Sequence, residues 1–428
     1  MSQTQTADTT SLEYRRFLLN YARERIAAKN YYDADFALQV SQSRYPNDPV
    51  SYNLHGMLAH RLGLFEHGLH FVNKALEFDP TMTRAQENLT TIERDYFADQ
   101  ARPKIPEEKY FLIHSWGSGL GFDLLYLLQQ LLLSELSGRK PVVFWGKNSL
   151  YTDDPSKDCF REYFDPISSL GLDDLRLYMP DVYPAHWQKR DLSDYVRRTR
   201  WRNTINDQQY KIGGPYFINR PEKVVVGGEF SSVGMLRPWL AMHPRYSRTL
   251  VGDIYRDLIR QYIRPKQYLQ DRANQFIKKQ FSDQPYLAIH LRGTDKHREK
   301  QSNAISSIND DLINKLLSMP EEYPIFLMTD DTRQVSLMKT LFGSRLNYFN
   351  VSRTDNEMKG VHHLTTNKRK IAEEVIVDMI VASRSTNFFG CGLSYLACMV
   401  SYMQSSKNLS TLLPFDVMTR FIDIPMPK

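Results

Sequence analysis

The chain of 428 residues lacks any apolar run long enough to cross a lipid bilayer. Its densest apolar segment, residues 124–136, is interrupted by Gln129, Gln130, Ser134 and Glu135, and it is shorter than the roughly 20 residues that a membrane-spanning helix needs. The amino terminus is polar and has neither the basic start nor the apolar core of a secretory signal. We therefore expect a cytoplasmic protein with no membrane span.

Cysteine is also scarce. The three cysteines, Cys159, Cys391 and Cys398, do not have metal-ligand spacing and cannot form a disulfide framework, which agrees with a reducing compartment.

Positive charge is in small excess, because the chain has 55 Lys and Arg and 49 Asp and Glu, which gives a formal net charge of +6. This excess permits a phosphate-bearing ligand, but it does not call for nucleic acid, and we expect no nucleic-acid partner. The length predicts two or three domains.

A period of 34 residues marks the amino-terminal part of the chain. Pro46 and Pro80 lie 34 residues apart, and the small residues Ala34 and Gly68 recur at the same offset. Small residues are needed where the two helices of a repeat cross closely, and proline ends the second helix. The period is that of the tetratricopeptide repeat, and we predict about five helices over residues 10–100. A generic helical bundle is the alternative.

Such a repeat module has several possible roles. Short helical arrays bind a peptide or a protein partner on their concave face, mediate homodimerisation, or simply support a neighbouring domain. The sequence leaves these roles open.

From residue 109 onward, short apolar runs alternate with amphipathic helical stretches. This alternation is typical of parallel sheets that are covered by helices. We predict an α/β fold with two Rossmann-like halves, residues 109–245 on the acceptor side and residues 246–428 on the donor side, which face one cleft. Ligands of such sheets bind beyond the carboxyl ends of the strands, so the residues at those ends are the candidate site residues.

Three glycines follow the first predicted strand of this region, at residues 110–114. Gly117, Gly119 and Gly121 lie between that strand and a helix predicted from about residue 122. Glycines at such a turn let backbone N–H groups approach a phosphate at the positive end of the helix. Their spacing, however, is not the dinucleotide-binding fingerprint. Phosphate binding, shaping of an acceptor cleft and a plain tight turn all remain open.

The strand predicted at residues 285–292 ends in a dense polar cluster. His290 and Arg292 lie at its end, and Asp295 and Lys296 follow. A guanidinium there can hold a diphosphate through two hydrogen bonds and neutralise charge on a departing nucleotide. Lys296 would add a positive charge, and Asp295 would orient one or both cations. An ion-pair network that braces the loop is the alternative.

Polar side chains also mark the later strand ends of the second half. Asp330 and Asp331 follow the strand predicted at residues 323–329, where carboxylates can cap a helix, accept hydrogen bonds from a nucleotide or bind a divalent metal. No third acid or histidine lies nearby in sequence, so we expect no metal.

Asp378 lies in a mainly apolar helix and needs a partner, either a cation or the nucleotide. Ser394 begins a helix after two glycines, where it either binds an anion or only caps the helix.

Taken together and in order, these segments resemble the fucosyltransferase superfamily, which includes the α-1,6-fucosyltransferases, the Nod-factor fucosyltransferases and, more distantly, the protein O-fucosyltransferases. The resemblance covers roughly residues 285–405. The segments that carry it are residues 290–296, with the string His-x-Arg-x-Thr-Asp-Lys, and residues 328–331, 360–362, 377–379 and 392–394. The resemblance implies a GT-B fold and an inverting, metal-independent transfer of fucose from GDP-fucose, with no cofactor.

The resemblance also implies roles for individual residues. Arg292 would stabilise the diphosphate leaving group. The residues expected to contact the GDP-sugar are His290, Arg292, Lys296, Asp330, Asp331, Asp378 and Ser394, with His362 lining the same pocket. Two departures leave the sugar and the linkage open: Gly293 stands where the α-1,6 enzymes carry a second arginine, and residues 392–394 replace their paired serines.

The acceptor and the catalytic base are the least defined features. An acceptor hydroxyl needs a carboxylate base within about 3 Å in the assembled complex. Glu299 is the first candidate for this base and Asp295 the second. The acceptor is a glycan, a protein or a peptide. The alternatives are a transferase that uses another GDP-sugar and an inactive scaffold that binds partners.

Overall fold

The computed structural model has a mixed α/β fold with two parallel sheets and many helices, which confirms that part of the sequence interpretation. It describes residues 3–101, 108–194, 217–228, 233–240, 242–282, 284–293, 302–355, 361, 367–405 and 407–413. No helix within these ranges combines the length and the hydropathy that a membrane crossing requires.

Five helices form the amino-terminal part. They are α1 (Gln3–Ala27), α2 (Tyr31–Arg44), α3 (Pro49–Arg61), α4 (Phe65–Phe78) and α5 (Thr83–Gln100). A Cβ on Gly56 of α3 would lie 3.0 Å from the carbonyl oxygen of Gly68 in α4 and would overlap the side chain of Val72. The two small residues therefore lie where the two helices cross. The assignment to the tetratricopeptide family remains a prediction.

The first sheet contains four parallel strands in the spatial order β2-β1-β4-β3. Its elements are β1 (Tyr110–His114), α6 (Leu120–Leu136), β2 (Lys140–Phe144), α7 (Phe160–Tyr163), α8 (Leu172–Arg176), β3 (Val182–Tyr183), a 3₁₀ helix (Ala185–Lys189), β4 (Val224–Val226) and α9 (Val233–Leu240). All five residues of β1 are buried, as expected for a strand covered on both faces.

The second sheet contains five parallel strands in the order β7-β6-β5-β8-β9. Its elements are α10 (Val251–Tyr262), α11 (Gln267–Phe281), β5 (Leu287–His290), α12 (Ser302–Leu317), β6 (Ile325–Met328), α13 (Thr332–Phe342), β7 (Leu346–Asn347), α14 (Lys368–Ser383), β8 (Asn387–Cys391), α15 (Tyr395–Met403) and β9 (Leu409–Leu413). After β5 the chain adds β6 and β7 on one side and then returns to place β8 and β9 on the other. The carboxyl ends of β5 and β8 therefore border a topological switch point, where ligands of such sheets bind.

Trp239 of α9 joins the amino-terminal helices to the α/β part. Its indole N–H donates to Asp35 Oδ1 at 3.2 Å, and its ring makes edge-on contacts with His55 and Phe71, with ring centroids 5.1 and 5.7 Å away. A ring nitrogen of His67 donates to the Trp239 carbonyl oxygen at 3.0 Å. The largest apolar core includes Phe71 and Trp239, so it is continuous across this junction. The division into domains at residues 100 and 245 remains a prediction.

Candidate active site

A cleft of about 440 Å³ lies at the carboxyl ends of the central strands of both sheets. Its walls come from the loop between β1 and α6, from the segments that follow β2, β5, β6, β7 and β8, and from α14. Because parallel strands end at the same edge of a sheet, residues far apart in sequence meet here.

The cleft brings together most of the candidate residues that the structure describes. Those that line it are Gly119, Gly121, His290, Arg292, Asp330, Asp378 and Ser394. Gly117 and Asp331 are described but do not line it. Four candidates, Asp295, Lys296, Glu299 and His362, lie outside the described residues.

The three glycines after β1 have three different environments. Gly117 has a positive φ of 85°, which a side chain would strain, and a Cβ there would lie 2.6 Å from the carbonyl oxygen of Asn148. Gly119 has no atom within 4 Å of a Cβ position. A Cβ on Gly121 would lie 2.7 Å from the backbone nitrogen of Leu396 in α15. A tight turn explains Gly117, and a close approach of two helices explains Gly121.

Two backbone N–H groups of this loop already donate hydrogen bonds to side chains. The Ser118 N–H donates to Asp123 Oδ1 at 3.1 Å, and the Leu120 N–H donates to the Tyr151 hydroxyl at 2.8 Å. These bonds favour a loop that shapes the cleft over one whose backbone binds phosphate.

Arg292 lies just beyond β5, partly buried, and its side chain lines the cleft. Its backbone is fixed from outside the strand, because the side-chain amide of Asn309 in α12 donates to the Arg292 carbonyl oxygen at 2.8 Å. The sequence interpretation did not identify Asn309, which no local pattern distinguishes from other polar helix residues.

Asp330 and Asp331 follow the same strand but have different roles. Asp331, 1% exposed, caps α13 by accepting a hydrogen bond from the Arg333 N–H at 2.8 Å, and it pairs with the Arg333 guanidinium at 2.7 Å. Asp331 therefore acts as a helix cap, which is one of its sequence alternatives, and its placement in the donor site remains a prediction. Asp330 lines the cleft. Within the described ranges, no group of three or more His, Cys, Asp or Glu stands close enough to hold a metal ion.

His290 and Ser394 present buried polar atoms to the cleft. Neither His290 Nδ1 nor Ser394 Oγ has a hydrogen-bond partner among the described residues. Ser394 precedes α15, but its hydroxyl makes no capping hydrogen bond, so capping alone does not explain it. Burial, with the positive charge of Arg292 as a second cause, lowers the pKa of His290 from 6.5 to about 3. The imidazole is therefore neutral near pH 7.

Asp378 presents a third such atom, because its Oδ1 is buried without a partner in the described part of the chain. Burial raises the pKa of Asp378 from 3.8 to about 8; the positive charge of Arg353 opposes this shift, and the negative charge of Glu374 adds to it. The carboxyl is therefore largely protonated near pH 7. The two sequence alternatives for its partner, a cation or the nucleotide, both remain predictions.

Glu374 and Arg353 were not among the sequence candidates. Glu374 is 4% exposed, lines the cleft one helical turn before Asp378 and accepts a hydrogen bond from the Ser352 N–H at 3.0 Å. Arg353 donates to the Thr329 carbonyl oxygen at 3.1 Å. The spacing of four residues between Glu374 and Asp378 could have revealed that both share one helix face, whereas nothing local indicates Arg353.

Two parallel sheets that share a polar cleft at their carboxyl ends define an α/β protein whose ligand site lies at a topological switch point. No family model and no curated protein matches the chain. Several solved structures of similar fold are fucosyltransferases. NodZ α-1,6-fucosyltransferase soaked with GDP-fucose is 16% identical, with 74% of this chain and 100% of that chain covered and a TM-score of 0.48.

Two other similar structures carry related names. Arabidopsis thaliana FUT1 in complex with GDP is 13% identical, with 76% of both chains covered and a TM-score of 0.45. POFUT1 in complex with GDP is 11% identical, with 73% of this chain and 100% of that chain covered and a TM-score of 0.39. Similarity at this level assigns neither a family nor an activity.

Proposed function

We propose that the protein is an inverting, metal-independent glycosyltransferase of the GT-B fold that transfers fucose from GDP-fucose to a glycan or protein acceptor. One observation carries the proposal: Arg292 lines the cleft together with His290, Asp378 and Ser394, each of which has a buried side-chain atom without a hydrogen-bond partner among the described residues. Buried polar groups in proteins are normally hydrogen-bonded, so such a cluster marks the place of a polar ligand. The sequence string at residues 290–296 supports a GDP-sugar as that ligand.

The chemistry of transfer matches the placement of these groups. When the acceptor oxygen attacks the anomeric carbon, the bond from that carbon to the diphosphate breaks, and the diphosphate leaves with additional negative charge. A guanidinium at this strand end can stabilise that charge, and the backbone of Arg292 is held in place by the hydrogen bond from Asn309. The acceptor proton passes to a carboxylate base, for which Glu299 and then Asp295 remain our candidates.

The nucleotide would use the remaining groups. Guanine presents two adjacent donors, N1–H and the 2-amino group, which an ionised Asp378 can accept. The Ser394 hydroxyl and the amino end of α15 suit a phosphate, because helix N–H groups point toward an anion there. His290 would contact the ribose or the diphosphate. Asp330 lines the same wall of the cleft.

The amino-terminal helices would recruit the acceptor or a second copy of the chain. We propose that residues 10–100 are tetratricopeptide repeats. The crossing of α3 and α4 at Gly56 and Gly68 supports this assignment, because small residues at the helix crossing are a requirement of that repeat.

Calorimetric titration with GDP and with GDP-fucose tests the proposal. We expect both ligands to bind, and Arg292→Ala to weaken binding by about 10- to 150-fold, as the loss of a charge-assisted hydrogen-bonded contact of about 1.5–3 kcal/mol predicts. Arg384→Ala is the matched control, since Arg384 is exposed and precedes β8 at the opposite edge of the same sheet. Its binding should equal that of the parent protein.

Release of fucose or its transfer from GDP-fucose should persist in excess EDTA. Loss of the reaction in EDTA would instead assign a metal to the site. Failure of GDP and GDP-fucose to bind would contradict the proposal and leave the scaffold alternative. Binding of GDP with turnover of a different GDP-sugar would replace the sugar but keep the class of enzyme.

A further inference from the structure

Three ionisable groups meet at the end of the cleft that α14 forms. Asp378 and Glu374 lie one helical turn apart on α14, and both line the cleft. Arg353, from the segment after β7, exerts the largest attractive charge effect on Asp378. The proposed function uses Asp378 and leaves the other two without a role.

Arg353 attracts Asp378 without pairing with it. Its guanidinium donates to the carbonyl oxygens of Thr329, Phe349 and Val351, at 3.1, 2.8 and 3.4 Å. Within the described part of the chain, no ion pair involves Asp378. Arg353 therefore fixes the segment after β7 onto the end of β6, and its charge acts on Asp378 from a distance.

Glu374 has the opposite effect, because its negative charge raises the pKa of Asp378. Its Oε2 accepts the Ser352 N–H at 3.0 Å and its Oε1 lies 3.7 Å from Lys370 Nζ, so the carboxylate is held in place one turn from Asp378. A negative charge one helical turn away disfavours ionisation of a second carboxyl inside a protein. Arg272 of α11 adds a weak attraction for Asp378. Among the described residues, the other charged and titratable groups that line the cleft are Arg292, Asp330, the neutral His290, Tyr151 and Tyr395.

We propose that Glu374 and Arg353 are positioning residues that set the protonation of Asp378, so that binding of the guanine base is coupled to release of one proton from this carboxyl. This inference rests on the proposed function. A protonated carboxyl carries a donor of its own and opposes the two donors of guanine, whereas the carboxylate accepts from both. The O–H proton passes to the solvent buffer, and the carboxylate formed takes the two base N–H groups as its partners.

Proton release is measured by titrating the full-length protein with GDP-fucose in two buffers that differ in ionisation enthalpy. GDP-fucose is the probe because both ends of its diphosphate are esterified and do not titrate near neutrality. We expect release of most of one proton per nucleotide at pH 6–7, falling toward zero at pH 9, since the pKa of Asp378 is about 8. The affinity should rise by up to about tenfold per pH unit between pH 6 and pH 8.

Variants separate a positioning role from a purely structural one. Asp378→Asn should bind more weakly and release no proton. Glu374→Gln should shift the proton-release profile to lower pH, and Arg353→Met should shift it to higher pH, with Arg353→Lys restoring the profile of the parent. Glu373→Gln is the matched control, because Glu373 is the preceding residue of α14 and bonds to Arg369 and Tyr268; it also lies 3.9 Å from Arg272, so we expect at most a small shift of the profile.

The outcomes distinguish the two proposals. Nucleotide binding with no proton release and no pH dependence would overturn this inference and leave the proposed function intact. Absence of GDP-fucose binding by the parent protein would overturn both. Should Glu374→Gln fail to fold after losing its bond to Ser352, the Asp378→Asn titration decides, because Asp378 holds no such structural hydrogen bond among the described residues.

Discussion

Gly121 at the start of α6 lies against the backbone of Leu396 at the start of α15. A Cβ on Gly121 would be 2.7 Å from both the nitrogen and the Cα of Leu396, closer than side chains approach in folded proteins. Helix α6 follows a strand of the first sheet and α15 follows a strand of the second, and the amino ends of both helices line the cleft. The absence of one side chain at residue 121 thus sets the distance between the two walls of the site.

Gly121→Ala should separate these walls. Overpacking of a tight contact typically costs about 1–3 kcal/mol, and we expect a loss of stability in that range together with weaker GDP binding. Chemical unfolding and calorimetric titration measure the two effects. Gly119→Ala is the matched control, because nothing lies within 4 Å of a Cβ there, and its stability should stay within about 1 kcal/mol of the parent. Equal stability of the two variants would contradict the contact.

Gly293 lies directly against the side chain of Asp331. A Cβ at this position would overlap the Asp331 Cβ and lie 2.7 Å from its Oδ2. A side chain could not be accommodated here without displacing Asp331 from the cap of α13. The chain therefore carries glycine beside Arg292 for a packing reason.

We expect Gly293→Ala to destabilise the protein by about 1–3 kcal/mol, because Asp331 must move and the cap and its bond to Arg333 weaken. GDP affinity should fall as well, since Arg292 is the preceding residue. Thermal unfolding and titration check both expectations. Gly228→Ala, where no atom lies within 4 Å of a Cβ, serves as the control and should behave as the parent does.

The buried strands and the residues at their carboxyl ends could be predicted from the sequence, because local residue patterns specify them. The strand at residues 110–114 is observed as Tyr110–His114, because a fully apolar run bounded by polar residues is a clear signal for a buried strand. The rule that ligands bind at the carboxyl ends of parallel strands selected Arg292, Asp330 and Ser394, and all three line one cleft.

The elements that the sequence interpretation missed lack such local signals. The strand Val182–Tyr183 has two residues and no periodicity. The edge strand Leu409–Leu413 is half exposed and carries polar residues, so its composition resembles a loop. The helix Gln267–Phe281 was not predicted.

Contacts between distant segments could not be predicted from the sequence, because they too lack a local signal. Asp330 and Asp331 are neighbours after one strand, and only the direction of each side chain separates a cleft residue from a helix cap. Arg353 and Glu374 affect Asp378 through the packing of the segment after β7 on α14. No spacing rule within one segment reports such an arrangement.

Trp239→Ala should destabilise the whole protein rather than detach the amino-terminal helices alone. The side chain is 1% exposed and fills the junction between Asp35, His55 and Phe71. Removal of a buried tryptophan typically costs about 3–5 kcal/mol. Because the apolar core is continuous across the junction, we expect one unfolding transition at a lower temperature in calorimetry.

Trp239→Phe keeps an aromatic ring, smaller than the indole, and removes the indole N–H. Asp35 Oδ1 retains its contact with His55 Nε2 at 2.9 Å, so the loss should be smaller, about 1–2 kcal/mol. Two separate transitions in Trp239→Ala, with the second at the temperature of the parent, would contradict a continuous core.

Asp378→Asn should stabilise the protein in alkaline solution while it weakens nucleotide binding. The pKa of Asp378 is about 8 in the folded protein against 3.8 for an ordinary aspartate. Between these values the unfolded chain has lost the proton and the folded protein keeps it, so the stability of the parent falls as pH rises toward 8 and then levels off. Asparagine does not titrate. The advantage of the variant should therefore grow from pH 5 to pH 9, by an amount on the order of 1–3 kcal/mol.

Urea unfolding of the nucleotide-free proteins at pH 5, 7 and 9 measures this trend. Glu373→Gln, on the same helix but outside the cleft, should show no comparable change with pH. A variant that is equally displaced from the parent at all three pH values would mean that Asp378 does not hold a proton in the folded protein. A growing advantage at high pH together with a loss of GDP-fucose affinity would show that a destabilising buried carboxyl is retained because the ligand needs it.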